Sequence, residues 1–401
     1  MILKKILITI FVFLILKASI GNAEENIALT DLHVFLEGYA TNPAFTQMIE
    51  YAQLPRQIPK IIAWHRFPRR ANIINLDAYN TREIDLPSGE GYWHQVTNLV
   101  LKAAQEELEK HPEYNLILHA NLWKMNVVLR PFLENIPQKR IKMIHLYEDG
   151  YGELFKFLFS EKNLVAYTDS ELREGLKNPT KWKQNMIFDL SRNYPITYHF
   201  FGWSYIQKNN DFKTLKNFLK DLNISDVNFK RLSYILTEEQ KHLIYKLTGF
   251  DYDYYKNLMN GKKSFVFLMG YHFDNKINEA YERNLLKRIL TDSSFSGIYD
   301  PENWVWMYKP HPSYRAQGSI LPMKKMFPEM IGINPQIPFE VFILAGLKPT
   351  YTAGFSSSAF YSLNKDDILF IIRRHQNDAY MAFLKKITNI EDKKVLDLGY
   401  Y

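Results

Sequence analysis

The chain of 401 residues contains no cysteine. Disulfides, thiolate nucleophiles, iron–sulfur clusters and cysteine-based zinc sites are excluded at once. Catalysis therefore falls to Asp, Glu, His, Ser, Lys or Tyr, and a metal site could draw only on histidine and carboxylate. Net charge is scarce too. The formal +7 drops to +4 if Lys4, Lys5 and Lys17 leave with an N-terminal segment, too little basicity to argue for nucleic acid. The apolar run 6–16 is short for a transmembrane helix, no second stretch is long and apolar enough to span a bilayer, and there is no internal repeat or low-complexity tract.

What is present is an ordinary globular composition. Hydrophobic residues at 46% and charged residues at 23% rule out disorder and a polytopic membrane protein. At about 150 residues per domain, the length predicts two domains. Aromatics reach 15%; their faces suit sugar or nucleobase stacking, but a large aromatic core is the simpler use. Lys4-Lys5, the apolar run 6–16 and the small-residue ending Gly21-Asn22-Ala23 match the plan of a secretory signal peptide over residues 1–23. An uncleaved N-terminal anchor is the alternative reading.

Short apolar runs alternate with helical patterns throughout the rest. Residues 32–36, 60–64, 116–119 and 141–147 read as buried strands. Between the second and third lies a helix with Val96, Leu99, Val100, Ala103, Ala104 and Leu108 on one face, stopped by His111-Pro112. Strand–helix–strand order implies parallel pairing and an α/β architecture. Residues 204–263 read as mostly helical, and a second strand series follows at 264–269, 304–308, 348–352 and 368–372. Two such series predict two doubly wound domains facing each other, with a helical segment 378–398 packing back on the first.

Ligands of open parallel sheets sit beyond the carboxyl ends of the strands. Tyr147-Glu148-Asp149-Gly150 offers paired carboxylates there, either a general base or a polar strand-to-loop turn. Lys309-Pro310-His311-Pro312 holds a histidine between two prolines that fix its loop, either an arrangement suited to stabilising a leaving phosphate, which is the favoured reading, or a surface turn with an incidental imidazole. Thr352-Ala-Gly-Phe-Ser-Ser-Ser358 leads from a strand through a glycine into a helical pattern, and its serines read equally as anion ligands or N-caps. It lacks the second glycine and the lysine of a P-loop. Pro338-Phe339-Glu340 opens a further helix, as φ preference and the helix dipole alone would dictate. Asp251-Tyr252-Asp253 fits a D-x-D metal pattern, but no strand precedes it, and a solvated turn is expected instead.

In this order, the segments resemble the bacterial sialyltransferases of glycosyltransferase family 80, the Pasteurella multifunctional and Photobacterium/Vibrio type. Tyr147-Glu148-Asp149-Gly150 is similar to that family's D-D-G motif, Lys309-Pro310-His311-Pro312 to its K-G-H-P motif, and Ser357-Ser358 to its paired serines. Phe339-Glu340-Val341, Gly346-Leu347 and the stretch from Tyr194 to Phe200 extend the similarity over nearly the whole mature chain. The resemblance implies a GT-B fold of two facing Rossmann-like domains, 24–194 on the acceptor side and 195–377 on the CMP-sugar side. Its C-terminal helix, within 378–401, crosses back to the first domain.

The resemblance also implies inverting, metal-independent transfer of sialic acid from CMP-sialic acid to a galactoside, with no cofactor and no nucleic-acid partner. Asp149 is then the base and His311 the group that stabilises departing CMP. Ser357 and Ser358 hold phosphate, Glu340 the ribose, and Lys309 with Pro310 the cytidine, while Gly270, Phe273 and Asn121 complete the substrate-binding set. The expected acceptor is a glycan of lipooligosaccharide type, sialylated in α2,3 or α2,6 linkage, and the N-terminal segment implies an enzyme of the bacterial cell envelope, either exported to the periplasm or anchored in the membrane by that segment, with peripheral membrane association as a further expectation. Departures from the family are Glu148 for the first Asp, Phe273 for a Trp, Lys124 for an acceptor-side His and Ser313 for Arg. The competing readings are a transferase of another nucleotide-activated acidic sugar and a non-catalytic periplasmic glycan-binding protein. A serine hydrolase is opposed by the missing G-x-S-x-G elbow.

Overall fold

The computed structural model describes residues 30–37, 40–64, 72–85, 92–122, 125–150, 190–269, 302–312, 327–373 and 379–397, with isolated helical positions at 284, 287 and 325. The leader 1–23 and the positions Lys124, Gly270, Phe273 and Ser313 lie outside the described residues.

The first sheet is built from β1 (Asp31–Glu37), β2 (Lys60–Trp64), β3 (Thr81–Glu83), β4 (Asn115–Asn121), β5 (Ile141–Tyr147), β6 (Ile196–Phe201) and β7 (Asn223–Val227). Its strand order is β3-β2-β1-β4-β5-β6-β7, with every pairing parallel. All seven residues of β1 are buried, as expected of a central parallel strand covered on both faces. The second sheet comprises β8 (Lys263–Leu268), β9 (Trp304–Lys309), β10 (Ile331–Gly332), β11 (Tyr351–Phe355), β12 (Ile368–Arg373) and β13 (Val395–Asp397), also all parallel, in the order β10-β9-β8-β11-β12-β13.

Helix α1 (Thr41–Gln53) follows β1, and α2 (Tyr92–Lys110) and α3 (Met125–Asn135) flank β4. In α2, Val96, Val100, Ala103, Ala104 and Leu108 are buried as their spacing predicts, but Leu99 is exposed and Thr97 takes a place inside.

A boundary at 194/195 would cut the first sheet, because β6 and β7 pair inside it. The sheet therefore ends at Val227. Polar residues such as Thr197, His199, Ser225 and Asp226 interrupt these two strands and hide them from an apolar-run reading. The helices α4 (Phe229–Ile235), α5 (Glu238–Thr248) and α6 (Tyr252–Met259) then lead into the second domain, where α7 (Glu340–Leu344) lies. These linking helices fasten the two units together: Phe45 of α1 stacks on Phe229 at 5.3 Å, while Phe250 and Tyr255 pack edge-on against Phe342 of α7.

The aromatics are largely core. Phe265, Phe267, Trp304, Trp306, Tyr308 and Phe370 fill one face of the second sheet. The segment 378–398 is not one helix. After α8 (Ala379–Thr388) the chain turns through Asp392–Lys394 and enters the second sheet as its edge strand β13. Helix α8 nevertheless reaches the junction, where Ile387 joins Phe201, Gly202, Tyr205 and Tyr361 around a cavity of about 130 Å³.

Candidate active site

Strand order reverses between β1 and β4 in one sheet and between β8 and β11 in the other. Crevices for ligands open beyond the carboxyl ends of strands at such points. Asn121 is buried at the end of β4, Glu148-Asp149-Gly150 follow β5, Pro310-His311 follow β9, and Ser356-Ser357-Ser358 follow β11. The acidic and serine loops meet: a Cβ on Gly150 would stand 3.3 Å from Ser358 Oγ and 3.9 Å from Asn42 Nδ2. Asn42 itself donates from Nδ2 to Ser358 Oγ at 2.9 Å.

The two carboxylates of the acidic loop occupy different environments. Glu148 is buried; its N–H donates to the His199 carbonyl at 3.1 Å, and its Oε2 accepts the Phe201 N–H at 3.0 Å. Asp149 is partly exposed. Gly150 has φ +66°, a left-handed turn that costs glycine little, and the contact with Ser358 leaves scant room for a side chain.

Strand β9 is buried along its whole length and ends in Lys309. The Lys309 ammonium donates to the carbonyls of Pro310 and Pro335 at 2.7 and 2.8 Å. Burial pushes it down to about 7, against the opposing pull of Glu340. Its cation is thus committed to holding the loop, so its contribution to any cytidine pocket is to position Pro310 rather than to present charge. Pro310 is buried, while His311 and Pro312 are half-buried. Glu340 is buried at the start of α7, where desolvation raises its carboxyl to about 6 in spite of its own backbone N–H and Lys309.

The serines do not enter an α-helix. Ser358–Ser362 forms a single 3₁₀ turn, and Ser357 caps it by accepting the Ala359 N–H at 3.3 Å. A turn of five residues carries little macrodipole, so anion binding here would rest on hydroxyls and free N–H groups. Before it, Gly354 sits at φ +133°, and a Cβ there would fall 2.1 Å from the Leu268 carbonyl oxygen. Only glycine lets β11 approach β8 this closely.

Composition and motif spacing do not reveal a buried network under the acidic loop. His33 Nδ1 lies 3.0 Å from His119 Nε2, and His119 Nδ1 lies 2.7 Å from the Tyr147 hydroxyl. Tyr147 donates to Glu50 Oε2 at 2.5 Å; His199 Nδ1 is 3.3 Å from Glu50 Oε1, and His199 Nε2 is 2.9 Å from His145 Nδ1. Burial drives His119 down to about 3 and His199 to about 4. Burial alone would raise Glu50, but the surrounding imidazoles outweigh it and hold the carboxyl below its usual range. The signal in the sequence is one histidine inside each of the strands β1, β4, β5 and β6.

Glu50, His119 and His145 offer donor atoms within 4.8 Å of one another. The two imidazoles, however, stack at 4.6 Å with 9° between their planes, so their in-plane lone pairs run parallel instead of converging. Both Nδ1 atoms are already bonded. The group acts as a hydrogen-bond network that ties α1 to the sheet. At the D-x-D segment, Asp251 accepts the Tyr254 N–H at 2.9 Å as the N-cap of α6, and Asp253 lies in the first turn, so the pattern is helix-starting chemistry.

A family model described as sialyltransferase PMO188 matches residues 32–386. The chain belongs to this sialyltransferase family. No curated protein sequence matches it. Among solved structures, the GT-B domain of the sialyltransferase from Photobacterium damselae superposes with TM-score 0.68 at 16% identity, covering 92% of this chain and 99% of that one. The α/β-galactoside α-2,3-sialyltransferase of Photobacterium phosphoreum gives TM-score 0.67 at 19% identity over 92% and 98%. The 2,6-sialyltransferase of Photobacterium sp. JT-ISH-224, in a ternary complex with CMP and lactose, gives 0.70 at 17% identity over 92% and 78%. The fold of this sialyltransferase is therefore GT-B, two parallel-sheet domains whose strand ends face a shared cleft.

Proposed function

We propose that this sialyltransferase moves sialic acid from CMP-sialic acid to a galactoside hydroxyl by an inverting displacement that needs no metal. The observation that carries the reading is the meeting of the Asp149-Gly150 loop with Ser358 across the two domains. A base and an anion site on opposite walls of one cleft suit a single displacement. The acceptor oxygen bonds to the anomeric carbon, Asp149 takes its proton, and the electrons of the breaking C–O bond pass to the phosphate. His311, held between prolines, and the hydroxyls of Ser357 and Ser358 take up the charge that develops on CMP.

Glu340 is assigned to the ribose, and Pro310, pinned by Lys309, to the base. Asn121, Gly270 and Phe273 are assigned to the sugars. Closure of two such domains would exclude water and limit hydrolysis of the donor. The CMP and lactose bound by the Photobacterium 2,6-sialyltransferase support the choice of nucleotide and acceptor class. A leader over residues 1–23 would deliver the enzyme to the bacterial cell envelope, with lipooligosaccharide-type glycans as acceptors.

Incubation of the protein lacking residues 1–23 with CMP-sialic acid and a panel of galactosides, with products read by mass and NMR, tests the reading. A new sialoside of inverted anomeric configuration supports it. Release of CMP without a sialylated product, or turnover only with other sugar nucleotides, overturns it.

A further inference from the structure

Helix α1 leaves the carboxyl end of β1 with its first turn against the opposite domain. Asn42, in that turn, gives an amide hydrogen to Ser358 Oγ at 2.9 Å, and a Cβ on Gly150 would stand 3.9 Å from the same nitrogen. Farther along α1, Glu50 is bound by Tyr147, and the helix is fixed to the sheet at that point. One rigid element thus touches the serine loop at one end and anchors the strand that delivers Asp149 at the other.

A serine hydroxyl has one hydrogen and two lone pairs. An amide nitrogen can only donate, so Ser358 must accept from Asn42 and keep its own hydrogen for another partner. Among the described residues that hydrogen has no hydrogen-bond acceptor. We propose that Asn42 is a positioning residue for the donor phosphate: it fixes the rotor of Ser358 so that the hydroxyl hydrogen is presented to a phosphate oxygen. The inference rests on the reading of Ser358 as a phosphate ligand. It adds that the nucleotide site, on the second sheet, is completed by a side chain from the first.

The test compares Asn42→Ala, Asn42→Asp, Ser358→Ala and the double variant Asn42→Ala with Ser358→Ala. CMP affinity is measured by calorimetry, and KM is measured for CMP-sialic acid and for lactose. Asn42→Ala should weaken CMP about 3–10-fold, because the hydroxyl is no longer oriented. Asn42→Asp should cost more, about 30–100-fold, since a carboxylate can only accept: it takes the Ser358 hydrogen and sets a negative charge beside the phosphate. The lactose KM and the melting temperature should stay put. In the Ser358→Ala background, Asn42→Ala should add nothing.

Unchanged CMP affinity in Ser358→Ala would overturn the phosphate reading itself. A weakened Ser358→Ala with silent or fully additive Asn42 variants would overturn this inference alone. A fall in melting temperature and a rise in both KM values together would make Asn42 an ordinary domain contact, and would equally overturn it.

Discussion

Glu148 accepts the Phe201 N–H at 3.0 Å and is buried, whereas its neighbour Asp149 is partly exposed. The two adjacent carboxylates thus sit in different environments, and the buried one joins β5 to β6. Asp149→Asn keeps the shape but cannot accept a hydroxyl proton, so kcat should fall about 10²–10⁴-fold with CMP affinity little changed. Glu148→Gln should mainly lower the melting temperature. Steady-state kinetics and thermal unfolding on the two variants decide the assignment, and the reverse ranking would exchange the roles.

His311→Ala should slow transfer about 10²–10³-fold if its imidazole serves the departing phosphate. A donor with a better leaving group should recover part of that loss. Asp149→Asn should show no such rescue, because its defect lies on the acceptor. Equal responses of the two variants would reduce His311 to a binding residue.

Transfer is expected to persist in excess EDTA. The phosphate can be neutralised by His311, the serine hydroxyls and backbone N–H groups, and Asp251 and Asp253 are engaged in starting a helix. Complete loss of activity in EDTA, restored by Mg²⁺ or Mn²⁺, would reverse this conclusion.

Residues 60–64 and 141–147 match β2 and β5 end to end; β2 is legible because burial along its whole length favours apolar side chains, and β5 because Ile141, Ile144, Leu146 and Tyr147 keep it mostly apolar although Lys142 is exposed. Strands that carry polar residues were not legible: β7 reads Asn-Ile-Ser-Asp-Val and lies at a sheet edge, where one flank pairs and one side meets solvent. Asp149, His311 and Ser358 stand out as candidates from their place after strands, because the strand-end rule is local. The contact between Asn42 and Ser358 does not, since 316 residues separate them and no local pattern encodes such a pairing. The network around Glu50 was hidden for the same reason: each histidine alone looks like a stray polar residue in a strand.

The buried Glu340 gives a pH dependence whose sign can be worked out. Its carboxyl ordinarily titrates at 4.5 and is raised by burial to about 6 in the folded protein. The folded state therefore holds a proton that the unfolded chain has lost, and stability from this group is fully present below pH 4.5 and disappears as pH rises through about 6. A shift of about 1.5 units corresponds to about 2 kcal/mol. Glu340→Gln cannot titrate, so the stability of wild type relative to this variant should fall by about that amount between pH 4.5 and 7, measured by chemical denaturation. Lys309, lowered to about 7 by burial, is charged at the acidic end of this window, where it favours the ionised form of Glu340, and loses part of that charge towards pH 7. If Glu340 accepts hydrogen bonds from the donor's ribose, its ionised form is the binding form, and CMP affinity should rise from pH 5.5 to 7.5 in wild type and stay flat in Glu340→Gln. A stability difference that is constant with pH would show that the carboxyl is already ionised when buried, and would remove the link between its proton and the nucleotide.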